Sequence, residues 1–138
     1  MIENFNGIIY LVIFLIHFLI YAVFGFRYLF DTKSYLDKYG MGDGAAITSR
    51  FLGSIYLGSV LMAIWVGFIR AGGLESTWAF FNLIFLQNVC TFIFALWFNQ
   101  KGNLGVNEKT STFGIFSPGI LTVLSAILCY GLADKIYI

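Results

Sequence analysis

The segment between Arg50 and Arg70 constrains the fold more than any other part of the sequence. Its nineteen residues, FLGSIYLGSVLMAIWVGFI, include no Asp, Glu, Lys, Arg or His. A helix needs about 20 predominantly apolar residues to cross the hydrocarbon core of a bilayer. An uncharged segment of this length, closed at each end by an arginine, predicts a transmembrane helix over residues 50–69.

Three further segments without Asp, Glu, Lys or Arg have a similar length. They cover residues 7–26, 78–98 and 116–132. Charged residues make up 11% of the 138 residues, against about 25% in soluble proteins. The sequence therefore predicts an all-α integral membrane bundle of four transmembrane helices, forming one domain over residues 1–138 of a multi-pass membrane protein.

The connectors between the four predicted spans differ in length. Residues 31–48 contain three glycines and predict a loop with a short interfacial helix over 32–39. The connector AGGLEST, residues 71–77, is so brief that we expect the second and third spans to be antiparallel neighbours. The polar residues 99–112 precede the fourth span, where Pro118 is expected near the helix start, a position at which its missing amide costs little.

Lysines and arginines are distributed unequally between the two faces of this topology. With four spans, the termini and residues 71–77 share one face, and the connectors at 27–50 and 99–112 share the other. Basic residues concentrate on the cytoplasmic side of membrane proteins, which predicts both termini outside. The connector face carries six basic residues and the other face two: Arg27, Lys33, Lys38, Arg50, Lys101 and Lys109 against Arg70 and Lys135.

Small residues recur at helical spacing along the second span. Such residues let a neighbouring helix approach closely in a membrane. Because they fall on more than one face, we expect this helix to be the packing spine of the bundle, in contact with the third span and at least one other. The expected packing residues are Gly53, Ser54, Gly58, Ser59, Ala63 and Gly67.

His17 is the only histidine and lies within the first span. An intramembrane imidazole is a candidate axial ligand for haem iron or chlorophyll magnesium, or a proton acceptor. The structural alternative is an imidazole held inside the bundle by Tyr21 or by a polar group of the third span. A bis-histidine haem cannot be built from one histidine.

A second set of candidates consists of amides and hydroxyls on the third and fourth spans. Polar side chains within a span are expected to face protein or water. They either line a path for a solute or hydrogen-bond one helix to another, and the second role is favoured. The set comprises Asn82, Gln87, Asn88, Thr91, Thr122 and Ser125.

Arginines stand where helices leave the hydrocarbon. Arg27, Arg50 and Arg70 are candidates for binding lipid headgroups. For Arg50 and Arg70, pairing with Asp43 and Glu75 is the alternative.

The motif SRFLGSIYLGSVL resembles that of the small four-span membrane families known as domains of unknown function, in particular the DUF4345-like proteins. Arg50, Gly53 and Gly58 form the R-x-x-G-x-x-x-x-G pattern that carries the likeness. The resemblance extends over the whole chain in hydropathy and over about fifteen residues in motif. It implies a four-span fold and no particular activity.

These observations favour a non-catalytic accessory subunit of a larger membrane complex of the respiratory or photosynthetic kind, with lipid and other integral membrane subunits as partners. Two alternatives stay open, namely a homo-oligomeric channel or solute transporter, and a protein binding haem, chlorophyll or carotenoid through His17. The net charge of +1 argues against a nucleic-acid partner. The sequence places no base near a nucleophile and no residues at metal-ligand spacing, so these patterns do not indicate an enzyme.

Overall fold

The computed structural model describes residues 2–101 and 107–138, except for the side chains of 110–113. Helices and turns account for these residues, without a strand among them. The helices are α1 (Ile8–Phe30), α2 (Thr32–Lys38), α3 (Ala46–Ile64), α4 (Trp78–Lys101), α5 (Glu108–Gly131) and α6 (Ala133–Ile136). Short 3₁₀ helices at Ile2–Phe5 and Asp43–Ala45 precede α1 and α3, and α3 ends in a π-helical turn, Trp65–Ile69.

Four of the described helical segments are long and apolar enough to cross a membrane. They are Ile8–Phe30, Asp43–Ile69, Trp78–Lys101 and Gly114–Gly131. The expectation of an all-helical chain with four such helices is confirmed for the described residues. The short helix expected over 32–39 is also present, as α2.

The connector before the fourth span is shorter than expected. Residues 99–101 belong to α4 and 108–112 belong to α5, while 102–106 lie outside the described residues. Pro118 consequently lies inside α5, so the expectation that it stands near the helix start is wrong. A membrane helix tolerates an interior proline because surrounding groups satisfy the freed backbone carbonyl.

The helix at the centre of the bundle is α1. It packs along α3 on one side and against α5 on another, and the rings of Phe14 and Phe18 reach Phe81 and Phe80 of α4. One face of α1 is buried at alternating spacings of three and four residues, as in coiled coils. That face consists of Leu11, Phe14, Phe18, Tyr21, Gly25 and Tyr28.

Glycines set the close approach of α1 and α3. A Cβ atom added to Gly53 would lie 2.8 Å from Cβ of Tyr28, 2.9 Å from Cγ of Leu29 and 3.2 Å from the carbonyl oxygen of Gly25. The two backbones therefore come together where each helix lacks a side chain. This contact fixes which face of α3 is covered.

The second and third spans do not pack against each other. α3 packs mainly on α1 and α4 on α5, and no extended contact joins α3 to α4 within the described residues. α3 and α4 both line one cavity and so are neighbours, but the packing contact expected between the second and third spans is not found within the described residues. The reason is that the covered face of α3 meets α1, whereas the buried residues of α4, Phe81, Ile84 and Asn88, face the α1 and α5 side of the bundle.

Hydrogen bonds gather three segments at one end of the bundle. The Asn6 amide donates to the carbonyl of Gly131, at 2.9 Å, and to Asp134. The Ser76 hydroxyl donates to the carbonyl of Ile138. At the opposite end lies α2. There the Asn107 amide donates to the carbonyl of Tyr39 at 3.1 Å.

We expect Gly53→Ala to destabilise the bundle by about 1–3 kcal/mol, because the added methyl group has no room between α1 and α3. The matched control is Gly58→Ala on the same helix, where a Cβ atom would meet nothing within 4 Å. Unfolding in detergent, followed by loss of helical circular dichroism, measures both. Equal stability of the two variants would show that the Gly53 contact does not hold the helices together.

Candidate functional site

A buried polar network lies where α1, α4 and α5 meet. It consists of His17 and Tyr21 from α1, Asn88 from α4 and Ser125 from α5, all buried. The Tyr21 hydroxyl donates to Oδ1 of Asn88 at 2.7 Å. Nδ2 of Asn88 lies 3.2 Å from Nε2 of His17 and 3.2 Å from Oγ of Ser125. Asn88 therefore joins three helices through one side chain.

The surroundings of Asn88 define the orientation of its amide and the tautomer of His17. Nδ2 lies 3.3 Å from the carbonyl oxygen of Leu121, which only accepts hydrogen bonds, so the atom at that position must be the nitrogen. An amide N–H that faces Nε2 of His17 makes Nε2 the acceptor. The imidazole proton then resides on Nδ1, a buried atom without a hydrogen-bond partner among the described residues.

His17 is fully enclosed by protein. Its ring stacks on Tyr21 at 4.9 Å between centroids and meets the edge of Phe18 at 4.8 Å. Because Asn88 occupies the space in front of Nε2, a haem or chlorophyll could approach that atom only by displacing the amide. The geometry is that of the structural alternative, and pigment or haem binding by His17 stays a prediction.

The other polar side chains of the spans lie outside this network. The Asn82 amide donates to Trp78 and exchanges hydrogen bonds with the Tyr137 hydroxyl at 2.8 and 3.0 Å. Thr91 and Thr122 donate to carbonyls of their own helices, at 2.7 and 2.8 Å. Gln87 is exposed. Among the described polar residues of the third and fourth spans, the hydrogen bond between the two helices joins Asn88 to Ser125. A solute path through the chain stays a prediction.

The expected packing residues of α3 divide into two sets. Gly53, Ala63 and Gly67 are buried within the chain. Ser54 and Gly58 are exposed and Ser59 is half-buried. The hydroxyls of Ser54 and Ser59 donate to carbonyls of their own helix at 3.0 Å. The buried set lies on the covered side of α3, whereas α1 packs against α3 and α5 and its rings reach α4, so the central helix is α1 rather than α3.

The three arginines lie near the ends of the apolar segments. Arg27 approaches Asp31 at 4.0 Å. Arg50 donates to the Thr32 hydroxyl at 3.3 Å, whereas Asp43 pairs with Lys33 at 3.1 Å. The alternative pairing of Arg50 with Asp43 is therefore not found in the described part of the chain. Arg70 donates to the backbone carbonyl of Glu75 at 2.7 Å. Headgroup binding by these arginines stays a prediction.

Beside the network, α3 and α4 border an open groove that sequence reasoning missed. Two adjoining cavities, of about 190 and about 290 Å³, share four wall residues: Leu52, Tyr56, Asn88 and Thr91. Tyr28 and Tyr35 line the first cavity and Tyr21 the second. The sequence does carry a signal for two of these rings, because Tyr21 and Tyr28 stand seven residues apart on α1 and so share one face.

Comparison of the chain with protein-family models, with curated proteins and with solved structures finds no match. The resemblance to the DUF4345-like proteins stays a prediction. Among the described residues, no three His, Cys, Asp or Glu side chains come together in an arrangement that would hold a metal ion.

We expect Asn88→Leu to lower the free energy of unfolding by about 1–3 kcal/mol, because the Tyr21 hydroxyl and Nε2 of His17 lose their partner in a buried environment. The matched control is Thr91→Val, which removes a hydroxyl that is exposed and bonded only within its own helix. Thermal unfolding in the same detergent compares the two. A variant Asn88→Leu as stable as Thr91→Val would contradict the assigned role.

Proposed function

We propose that the protein is a non-catalytic accessory subunit of a larger integral membrane complex. The observation that carries this proposal is the uncovered outer face of α3. Ser54, Gly58 and Leu61 lie there at spacings of four and three residues, and each is exposed. A Cβ atom at Gly58 would meet nothing within 4 Å. This shallow notch, at the middle of a span, suits close packing by a transmembrane helix of another subunit.

The network around Asn88 supports a structural role for the chain. Its hydrogen-bonding groups are directed at one another across three helices. Such bonds between membrane helices contribute on the order of 0.6–2 kcal/mol each and fix their relative rotation. The network therefore gives the chain a defined shape that a partner helix can recognise.

For the orientation in the membrane, we propose that the α2 end faces the cytoplasm and that both termini face the opposite side. The support is the unequal number of basic residues at the two ends, six against two. The termini and residues 71–77 belong to the face with two basic residues. The hydrogen bonds of Asn6 and Ser76 bring these segments together at one end of the bundle.

We expect Gly58→Leu to abolish co-purification of other membrane subunits with the tagged chain, because the new side chain fills the notch. The chain itself should fold normally, since no atom of the described residues lies within 4 Å of a Cβ atom built at this position. Extraction from native membranes in a mild detergent, followed by mass spectrometry of the bound proteins, measures the effect.

Ala79→Leu is the control, since it adds a similar side chain at an exposed position of α4. The proteins that co-purify with this variant should be the same as those that co-purify with the parent chain. The proposal is overturned if the parent chain purifies alone from its native membrane, or if Gly58→Leu retains every bound subunit.

The orientation is tested by cysteine labelling. In intact cells we expect a membrane-impermeant maleimide to label Glu75→Cys, while Ser34→Cys should react only after lysis, because both positions are exposed but lie at opposite ends of the bundle. The parent chain, with Cys90 and Cys129 in apolar helices, measures the background. The reverse labelling pattern would invert the topology.

A further inference from the structure

The groove between α3 and α4 is open toward the surface that the four apolar helices present to lipid. Leu52 and Ile55, on its α3 wall, remain 40% and 44% exposed. Because α3 and α4 do not pack together, the cavities are reached between these helices, from within the hydrocarbon layer. A molecule that enters by this route must be soluble in lipid.

The walls of the groove exclude a charged ligand. None of the described residues that line the two cavities is an Asp, Glu, Lys, Arg or His. Bringing an unpaired charge into such surroundings is strongly unfavourable. A phosphate headgroup would find no cation here, so the ligand that fits is neutral.

The first cavity has the size and walls of a site for one ring. Its volume is about 190 Å³, and an apolar cavity of roughly 150 Å³ is known to hold a benzene molecule. Phe24, Tyr28, Tyr35 and Tyr56 supply aromatic walls. The second cavity, with Leu52 and Ile55 on its wall, offers an apolar exit for a tail.

Tyr56 brings a hydrogen-bond donor to the wall that the two cavities share. Its ring is fixed by Tyr21 at 4.6 Å and by Tyr28 at 5.8 Å, measured between centroids. The hydroxyl makes no hydrogen bond to the described part of the chain. Of the other hydroxyls on the walls, Tyr21 donates to Asn88 and Thr91 donates to its own helix, while Tyr28 and Tyr35 share one hydrogen bond at 3.2 Å. Tyr56 lines both cavities and can donate to a bound carbonyl oxygen beside the aromatic walls, whereas Ser117 and Gln87 each line only one cavity.

We propose that this groove binds a neutral, lipid-soluble molecule with a single ring and a carbonyl acceptor, of the quinone class. The ring occupies the cavity beside Phe24 and Tyr28, the Tyr56 hydroxyl donates to the carbonyl, and the tail leaves past Ile55. The proposal concerns binding alone and is independent of the accessory role, because the groove is formed entirely by this chain.

The test uses the full chain in nanodiscs of phosphatidylcholine, with a fully ring-substituted benzoquinone that carries a decyl tail as the probe. Saturable stabilisation against heat should give a dissociation constant for the parent chain. Tyr56→Phe keeps the ring but removes the donor, and we expect it to weaken binding about three- to tenfold. Leu52→Trp fills the groove and should eliminate saturable binding.

Two controls separate a specific site from partitioning into lipid. Ile93→Trp adds the same side chain on α4 at an exposed position that lines neither cavity, and should bind the probe as the parent does. Decylbenzene, which lacks the carbonyl, should bind the parent and Tyr56→Phe equally. The proposal is overturned if the parent shows no saturable binding, if Leu52→Trp binds like Ile93→Trp, or if Tyr56→Phe leaves quinone affinity unchanged.

Discussion

The hydrogen bonds of Asn88 are the interaction on which the arrangement of the four spans depends. Lipid is as apolar as leucine, so helices in a membrane are held together by close packing and by polar contacts. α3 is secured to α1 by packing at Gly25 and Gly53, and α4 lies along α5. Asn88 then ties these two pairs together, because it bonds to Tyr21 and His17 on one side and to Ser125 on the other.

The sequence was sufficient to predict the elements of this fold but not their pairing. The four apolar helices and the short α2 follow from local composition and glycine placement. The identity of the central helix does not, because α3 carries small residues on several faces and only the contact with Gly25 decides which face is covered. The short connector at 71–77 predicts that α3 and α4 are neighbours. It does not show that α4 packs on α5 rather than on α3.

The residues of the candidate site could be predicted from the sequence, but their contacts with one another could not. Polar residues within a span must find partners, so the sequence could single out His17, Asn88 and Ser125. It could not show that they meet one another, since they come from three helices. The groove was beyond prediction, because it exists only where α3 and α4 stay apart, and its walls are mostly ordinary apolar and aromatic residues.

The helical repeat assigns separate faces of α3 to separate roles. At 3.6 residues per turn, Gly53 and Ala63 point toward α1, Leu52 and Ile55 border the groove, and Ser54 and Gly58 face outward. The groove and the outer face are centred roughly a third of the helix circumference apart. The two faces adjoin at Ile55 and Gly58, which are three residues apart and so are neighbours on the helix surface. The proposed partner helix and the tail of the proposed ligand would therefore meet along this edge of α3.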